Sequence, residues 1–244
     1  MKLKTVLFIF LLLSAALLKT TSLHAQYWTK DTLKTSNGDF IIQVIGNNFL
    51  HFSYRNIEIY VDPIPHMGDI SHLPKADLIL ITHSHRDHLS PETIRQLSTP
   101  TTCLIASKSC MSKIPRATFL KNGEQLTFKG IYIKAVPAYN IKNLRPDGIP
   151  YHVKGEGNGY FLIAGDKSIY VAGDTEYIPE MRHFMHPDVA FIPMMMPFIM
   201  NEDMFVRVVR QLRPHIVYPV HYNTSLNGLV QKLQSIPGLE IRIR

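Results

Sequence analysis

Leu78-Ile79-Leu80-Ile81-Thr82-His83-Ser84-His85-Arg86-Asp87-His88 joins an unbroken apolar run to three imidazoles and a carboxylate. Four consecutive apolar residues with polar neighbours read as a strand buried on both faces. When such a strand stops and opens into His83, His85, Asp87 and His88, several side chains can be aimed at one point beyond its end. Imidazole nitrogen and carboxylate oxygen together suit zinc and related divalent ions. An ordinary polar loop would turn its histidines to solvent, and four metal-capable groups in six residues make that the weaker reading.

Two later stretches repeat the arrangement. Ile169-Tyr170-Val171-Ala172 runs into Gly173-Asp174-Thr175, and Ile216-Val217-Tyr218-Pro219-Val220 runs into His221-Tyr222-Asn223. Alone, Asp174 reads as a turn or cap residue and His221 as a core histidine. Beside the first cluster they complete a set: three apolar strands, each delivering a metal-capable side chain just past its end.

Between these stretches strand and helix signals alternate. Strands are expected over 40–45, 50–54, 57–61, 78–82, 102–106, 125–128, 131–136, 159–164, 168–172 and 216–219. Helices are expected over 91–97, 108–114, 202–212 and 226–234. Pro91 opens the first helix, and Asn201 caps the third, whose Phe205, Val208, Val209 and Leu212 form an apolar stripe. Two runs of strands interleaved with helices predict an α+β fold, two sheets covered by outer helices, with loosely similar halves.

The motifs His83-x-His85-x-Asp87-His88, Gly173-Asp174-Thr175 and His221 resemble those of the metallo-β-lactamase superfamily of metallo-hydrolases. Asp62-Pro63 after a strand and Ala76-Asp77 before the ligand strand match as well, so the resemblance spans nearly all of 26–244. The phrases Tyr170–Thr175 and Tyr218–Tyr222 are similar to the branch of the L-ascorbate 6-phosphate lactonase and N-acyl phosphatidylethanolamine phospholipase D types. The resemblance implies a four-layer αβ/βα sandwich, two mixed β-sheets flanked by helices, with metals at one edge between the sheets. It implies two divalent ions, zinc first, with manganese or iron as alternatives. His83 and His85 would hold the first ion, Asp87, His88 and His221 the second, and Asp174 would bridge them. Asp87 and Asp174 are then the catalytic carboxylates.

One ligand departs from the pattern. The family usually supplies a third His after the strand corresponding to 131–136, and here the sequence reads Val136-Pro137-Ala138-Tyr139-Asn140. An amide oxygen is a poor replacement for imidazole on zinc. His152 is the chosen substitute; a weak first site or a single ion are the other outcomes. Asp62 and Asp77 are candidates for hydrogen bonds to ligand histidines, with strand-end turns as the plain alternative. The implied activity is hydrolysis of an ester, lactone or phosphodiester of a small molecule by a hydroxide held on the ions. Iron-dependent oxidation on the same fold and non-catalytic metal binding are the competing readings.

Composition bounds the rest. Lys2 and Lys4, an apolar run from Val6 to Leu18, and Leu23-His24-Ala25 read as a secretory signal peptide over 1–25, cleaved after Ala25. The run is short for a bilayer span, so no membrane anchor is expected to remain, and the product is periplasmic or secreted. Residues 26–244 then form one hydrolase domain. Loss of three lysines (Lys2, Lys4 and Lys19) lowers the formal net charge from +7 to +4. The remaining Lys and Arg form no basic track interleaved with aromatics, which argues against nucleic acid as partner. No G-x-G-x-x-G follows a strand, so a nicotinamide or flavin cofactor is not indicated. Cys103 and Cys110 either pair or remain buried thiols, and nothing in the sequence addresses oligomeric state. Met194 to Met200 reads as core leading into a helix, ahead of an apolar wall beside the metals.

Overall fold

Leu78–Ile81 is a strand, and its residues alternate between two cores. Leu78 and Leu80 enter one, Ile79 and Ile81 the other. A strand covered on both faces has no place for a polar residue, which is why the run is unbroken. The computed structural model describes residues 28–65 and 67–244. The signal peptide expected over 1–25 lies outside the described residues.

In the first sheet seven strands lie side by side in chain order. They are β1 (Lys30–Thr35), β2 (Gly38–Gly46), β3 (Phe49–Tyr54), β4 (Ile57–Val61), β5 (Leu78–Ile81), β6 (Cys103–Ser107) and β7 (Thr118–Leu120). The pairs from β1 to β4 are antiparallel, and those from β4 to β7 parallel. The second sheet repeats the plan. Its strands are β8 (Gln125–Phe128), β9 (Ile131–Ala138), β10 (Gly157–Ala164), β11 (Lys167–Val171), β12 (Val189–Pro193), β13 (Ile216–Val220) and β14 (Glu240–Ile241). Pairs from β8 to β11 are antiparallel and those from β11 to β14 parallel.

Three apolar clusters separate four layers. The central one joins the facing sheets, with the Phe52 and Phe191 rings 5.4 Å apart. Outside the first sheet, α1 (Pro91–Leu97) buries Ile94 and Leu97 against Ile79 and Ile81. Outside the second, α2 (Glu202–Leu212) buries its expected stripe of Phe205, Val208, Val209 and Leu212 with Tyr170, Ala190 and Val217. The helix α3 (Asn227–Gln234) adds Leu229 and Leu233 to that layer. The α+β sandwich of two mixed sheets expected from the sequence is the observed fold.

The differences have local causes. β1 is an edge strand of sequence Lys-Asp-Thr-Leu-Lys-Thr, in which only Leu33 packs on the core, so its apolar period is invisible. β12 is apolar throughout and runs into the methionines, which hid its end. The two-residue β14 and three-residue β7 are too short to carry a period. The helix expected over 108–114 is only a short 3-10 turn, Lys108–Cys110. Cys103 and Cys110 are both free thiols.

Candidate metal centre

Each sheet sends the carboxyl ends of its central strands to the same edge of the sandwich, where open α/β sheets place their sites. β4 leads into Asp62, β5 into Thr82 to His88, β11 into Asp174 and β13 into His221. Gly173 makes the β11 exit possible. Its φ is +62°, and a Cβ there would lie 2.7 Å from the Asn158 carbonyl oxygen. Asp62 and His221 hold the same left-handed backbone without being glycine, at φ 46° and 49°. Such strain persists where the surroundings over-determine it.

Three overlapping groups of potential ligand atoms lie within 4.8 Å of one another: His83, His85 and His152; His83, His88 and Asp174; Asp87, His88 and His221. Asp174 Oδ2 is the common point. It lies 3.2 Å from His152 Nε2, 3.3 Å from His88 Nε2, 3.6 Å from His221 Nε2 and 3.9 Å from His83 Nε2. All seven side chains named from the sequence therefore meet, His152 among them.

The opposite ring nitrogens fix the orientation. His88 Nδ1 donates to Asp62 Oδ2 at 2.8 Å, and Asp62 also accepts from the Thr82 amide at 2.8 Å and hydroxyl at 2.6 Å. The Thr82 hydroxyl lies 3.0 Å from His83 Nδ1. Asn140 Oδ1 accepts from the His152 amide at 2.9 Å and lies 2.5 Å from its Nδ1. Asn140, at the position where the third imidazole was expected, instead holds His152. Its Nδ2 donates to Glu176 Oε1 at 3.2 Å and to the Phe198 carbonyl at 3.1 Å. Buried Glu176 in turn accepts the amides of Lys142 at 3.0 Å and Asn143 at 2.6 Å, fastening the loop that carries His152.

Asn48 was not singled out from the sequence. Its Nδ2 donates to Asp174 Oδ1 at 3.2 Å, leaving Oδ2 to face the imidazoles. It sits in the Asn47-Asn48 turn between β2 and β3, where Asn reads only as a turn residue. Asp77, by contrast, is remote from the ligand histidines. It accepts from the Glu58 amide and from Lys129 Nζ, the strand-end role offered as the plain alternative.

Nε2 of His83, His88 and His152 is buried without a hydrogen-bond partner among the described residues. Buried polar atoms are rarely left so, and three converging on one carboxylate oxygen form the donor set of a divalent cation. Burial, the largest influence, pushes His83 well below the ordinary imidazole value and lowers His85 to about 4, so both keep free lone pairs. Burial opposes charge on His88 too, but Asp174 and Asp62 outweigh it and raise it well above the usual range. Burial raises the Asp87 carboxyl, yet the His221 hydrogen bond and nearby His88 prevail and hold it at about 2. Asp174 is likewise held well below its ordinary value by His88 and His221, against its burial.

Above the cluster opens a cavity of about 400 Å³. His85, Asp87, His152 and Asp174 form its floor; Arg145, Tyr151, Met195 and Phe198 form its walls. The methionine-rich stretch divides accordingly. Met194, Ile199 and Met200 are core, while Met195 and Phe198 face the cavity.

Residues 41–221, a span containing every member of the cluster, match the beta-lactamase superfamily domain. The chain belongs to the metallo-β-lactamase superfamily. A UPF0173 metal-dependent hydrolase of Enterococcus faecalis is 34% identical over 173 residues, covering 67% of this chain and 77% of that protein. A crystal structure of a candidate metal-dependent hydrolase from Parabacteroides distasonis superposes with a TM-score of 0.84. It is 38% identical, over 89% of this chain and 99% of that one. Igni18, a metallo hydrolase of Ignicoccus hospitalis, shares the fold at a TM-score of 0.70 and 22% identity, over 84% of this chain and 94% of its own. This member of the superfamily is a metal-dependent hydrolase.

Proposed function

We propose that this hydrolase cleaves an ester, lactone or phosphodiester bond in a small molecule and holds two divalent ions, zinc or manganese. The observation that carries the reading is the convergence of three partnerless buried Nε2 atoms on Asp174 Oδ2, with further ligand atoms on either side. His83, His85 and His152 would hold one ion, Asp87, His88 and His221 the second, and Asp174 both. Such a pair, when bound, brings the pKa of water to about 7 and stabilises attacking and leaving oxygens.

The chain's own contribution is orientation and charge. Asp62, Thr82 and Asn140 hold the imidazoles so that Nε2 faces inward, a role that outer partners of ligand histidines commonly fill. Asp87 and Asp174 stay ionised under their histidine neighbours and supply the negative charge of the site. Tyr151, Met195 and Phe198 give the cavity an aromatic and apolar wall. We also propose export after cleavage following Ala25, on the strength of the amino-terminal sequence alone.

Elemental analysis of the mature protein beside His152→Ala tests the reading, with an ester, lactone and phosphodiester panel assayed against His85→Ala. About two zinc or manganese ions per chain, falling towards one in His152→Ala, is the expected result. One ion or none, unchanged by the substitution, overturns the assignment.

A further inference from the structure

Arg145 is the only Lys or Arg among the described residues lining the cavity over the metal centre. Its backbone is pinned in a turn: its amide donates to the Ile149 carbonyl at 2.8 Å, and its carbonyl accepts from Gly148 at 2.9 Å. Leu144 and Pro150 bridge across the base of that turn. Nη2 donates to the Tyr151 carbonyl at 3.1 Å, one residue from His152. One guanidinium group offers five N–H donors, and this is the one side-chain hydrogen bond found for Arg145 among the described residues. Arginine ion pairs there involve Arg242 and Arg244 instead. A half-buried guanidinium on the cavity wall with spare donors can take an oxyanion through them.

The rim adds a second property. Of the eight large apolar side chains exposed among the described residues, five lie on the two segments around the cavity: Ile141, Leu144, Ile149, Met196 and Phe198. The segments touch through the Tyr151 and Phe198 rings, edge to face at 5.0 Å, and through Asn143 Nδ2 on the Ile199 carbonyl. Apolar side chains on the segments that carry the one charged wall residue of the cavity fit a molecule with the same division, while Lys142 and Asp147 of the same segment do not line it.

We propose that Arg145 binds an oxyanionic group of the substrate, a carboxylate or phosphate, and that the remainder of that substrate is apolar. Arginine suits this because its planar fork matches either oxyanion with two parallel hydrogen bonds. The proposal rests on the hydrolase reading for the bond that is cleaved, while the anion preference can be measured without cleavage.

Calorimetric titration of the metal-loaded protein with phenylacetate, benzylphosphonate and neutral phenylacetamide tests it. Wild type is expected to bind at least one anion roughly tenfold or more tightly than the amide. The tighter of the two anions identifies the source of the oxyanion. Arg145→Met is expected to abolish the preference and Arg145→Lys to keep part of it, with metal content unchanged in both. Arg145→Gln keeps a donor for the Tyr151 carbonyl without the charge, and gives the same reading should the methionine variant not fold. In turnover of anionic esters the loss falls on KM rather than kcat. Absence of any anion preference in wild type overturns the proposal. So does a preference that survives in Arg145→Met, since the bound ions would then account for it. If the anion preference behaves as expected but no ester, lactone or phosphodiester of the panel is cleaved above the His85→Ala background, the proposed bond specificity fails and this proposal stands.

Discussion

Asn140 turns an apparent gap in the ligand set into a supporting contact. Its amide oxygen serves both the backbone and the ring of His152, and its amide nitrogen serves Glu176, so one side chain joins a ligand candidate to the anchor of its loop. Asn140→Ala removes all of these bonds without adding bulk to a buried position. Partners behind ligand histidines are worth about 10- to 100-fold in metal affinity, and a loss in that range is expected, read by competition with a chromogenic chelator. Unchanged affinity would mean that His152 is held by its loop alone. The sequence placed His152 near the site only by default, because the motif lacked its third imidazole. Nothing in the linear order of Asn140 and Asn48 announces that two amide groups far apart in the chain orient the same cluster. The ligands were legible because each follows an apolar strand; their partners sit in turns, where Asn and Glu have ordinary reasons to be.

At the scale of elements, the strands that matter most to the site were the easiest to read, and for one physical reason. Central strands buried on both faces show as continuous apolar runs, and they are also the strands whose carboxyl ends reach the site. Of the edge strands, β8 was legible over 125–128, β1 was missed because one apolar residue carries no period, and β7 and β14 were missed because they are too short. Helix α2 was legible at both its stripe and its start: Asn201 Oδ1 accepts from the Met204 amide at 2.9 Å. Asn201→Ala removes this cap and is expected to lower stability by about 1 kcal/mol, measured by urea unfolding of the metal-loaded protein. Metal content should not move, because α2 packs on the outer face of the second sheet and supplies none of the seven candidate ligands. A variant that lost metal along with stability would show that the site depends on that layer.

For the molecule as a whole, the two sheets are joined by charge as well as by the core between them. Asp31, on edge strand β1 of the first sheet, accepts from Tyr218 Oη at 2.7 Å, on β13 of the second. It also accepts from Arg244 Nε at 2.9 Å and Nη2 at 2.6 Å. Burial pushes the Asp31 carboxyl up, but the Arg244 and Tyr218 hydrogen bonds outweigh it and hold it below the ordinary carboxylate value. A carboxylate depressed in the folded state stabilises fully above its unfolded pKa, about 4, and loses that contribution as pH falls through the lower folded value. Asp31→Asn should therefore cost about 1.5–3 kcal/mol near neutral pH, the range for a hydrogen bond to a charged group. The difference from wild type should shrink as unfolding is repeated at progressively more acidic pH. Because both proteins carry the same cluster of histidines and carboxylates at the metal centre, the titration of that cluster cancels in the difference. A gap that stays constant down to pH about 2 would assign the role of Asp31 to packing rather than to charge.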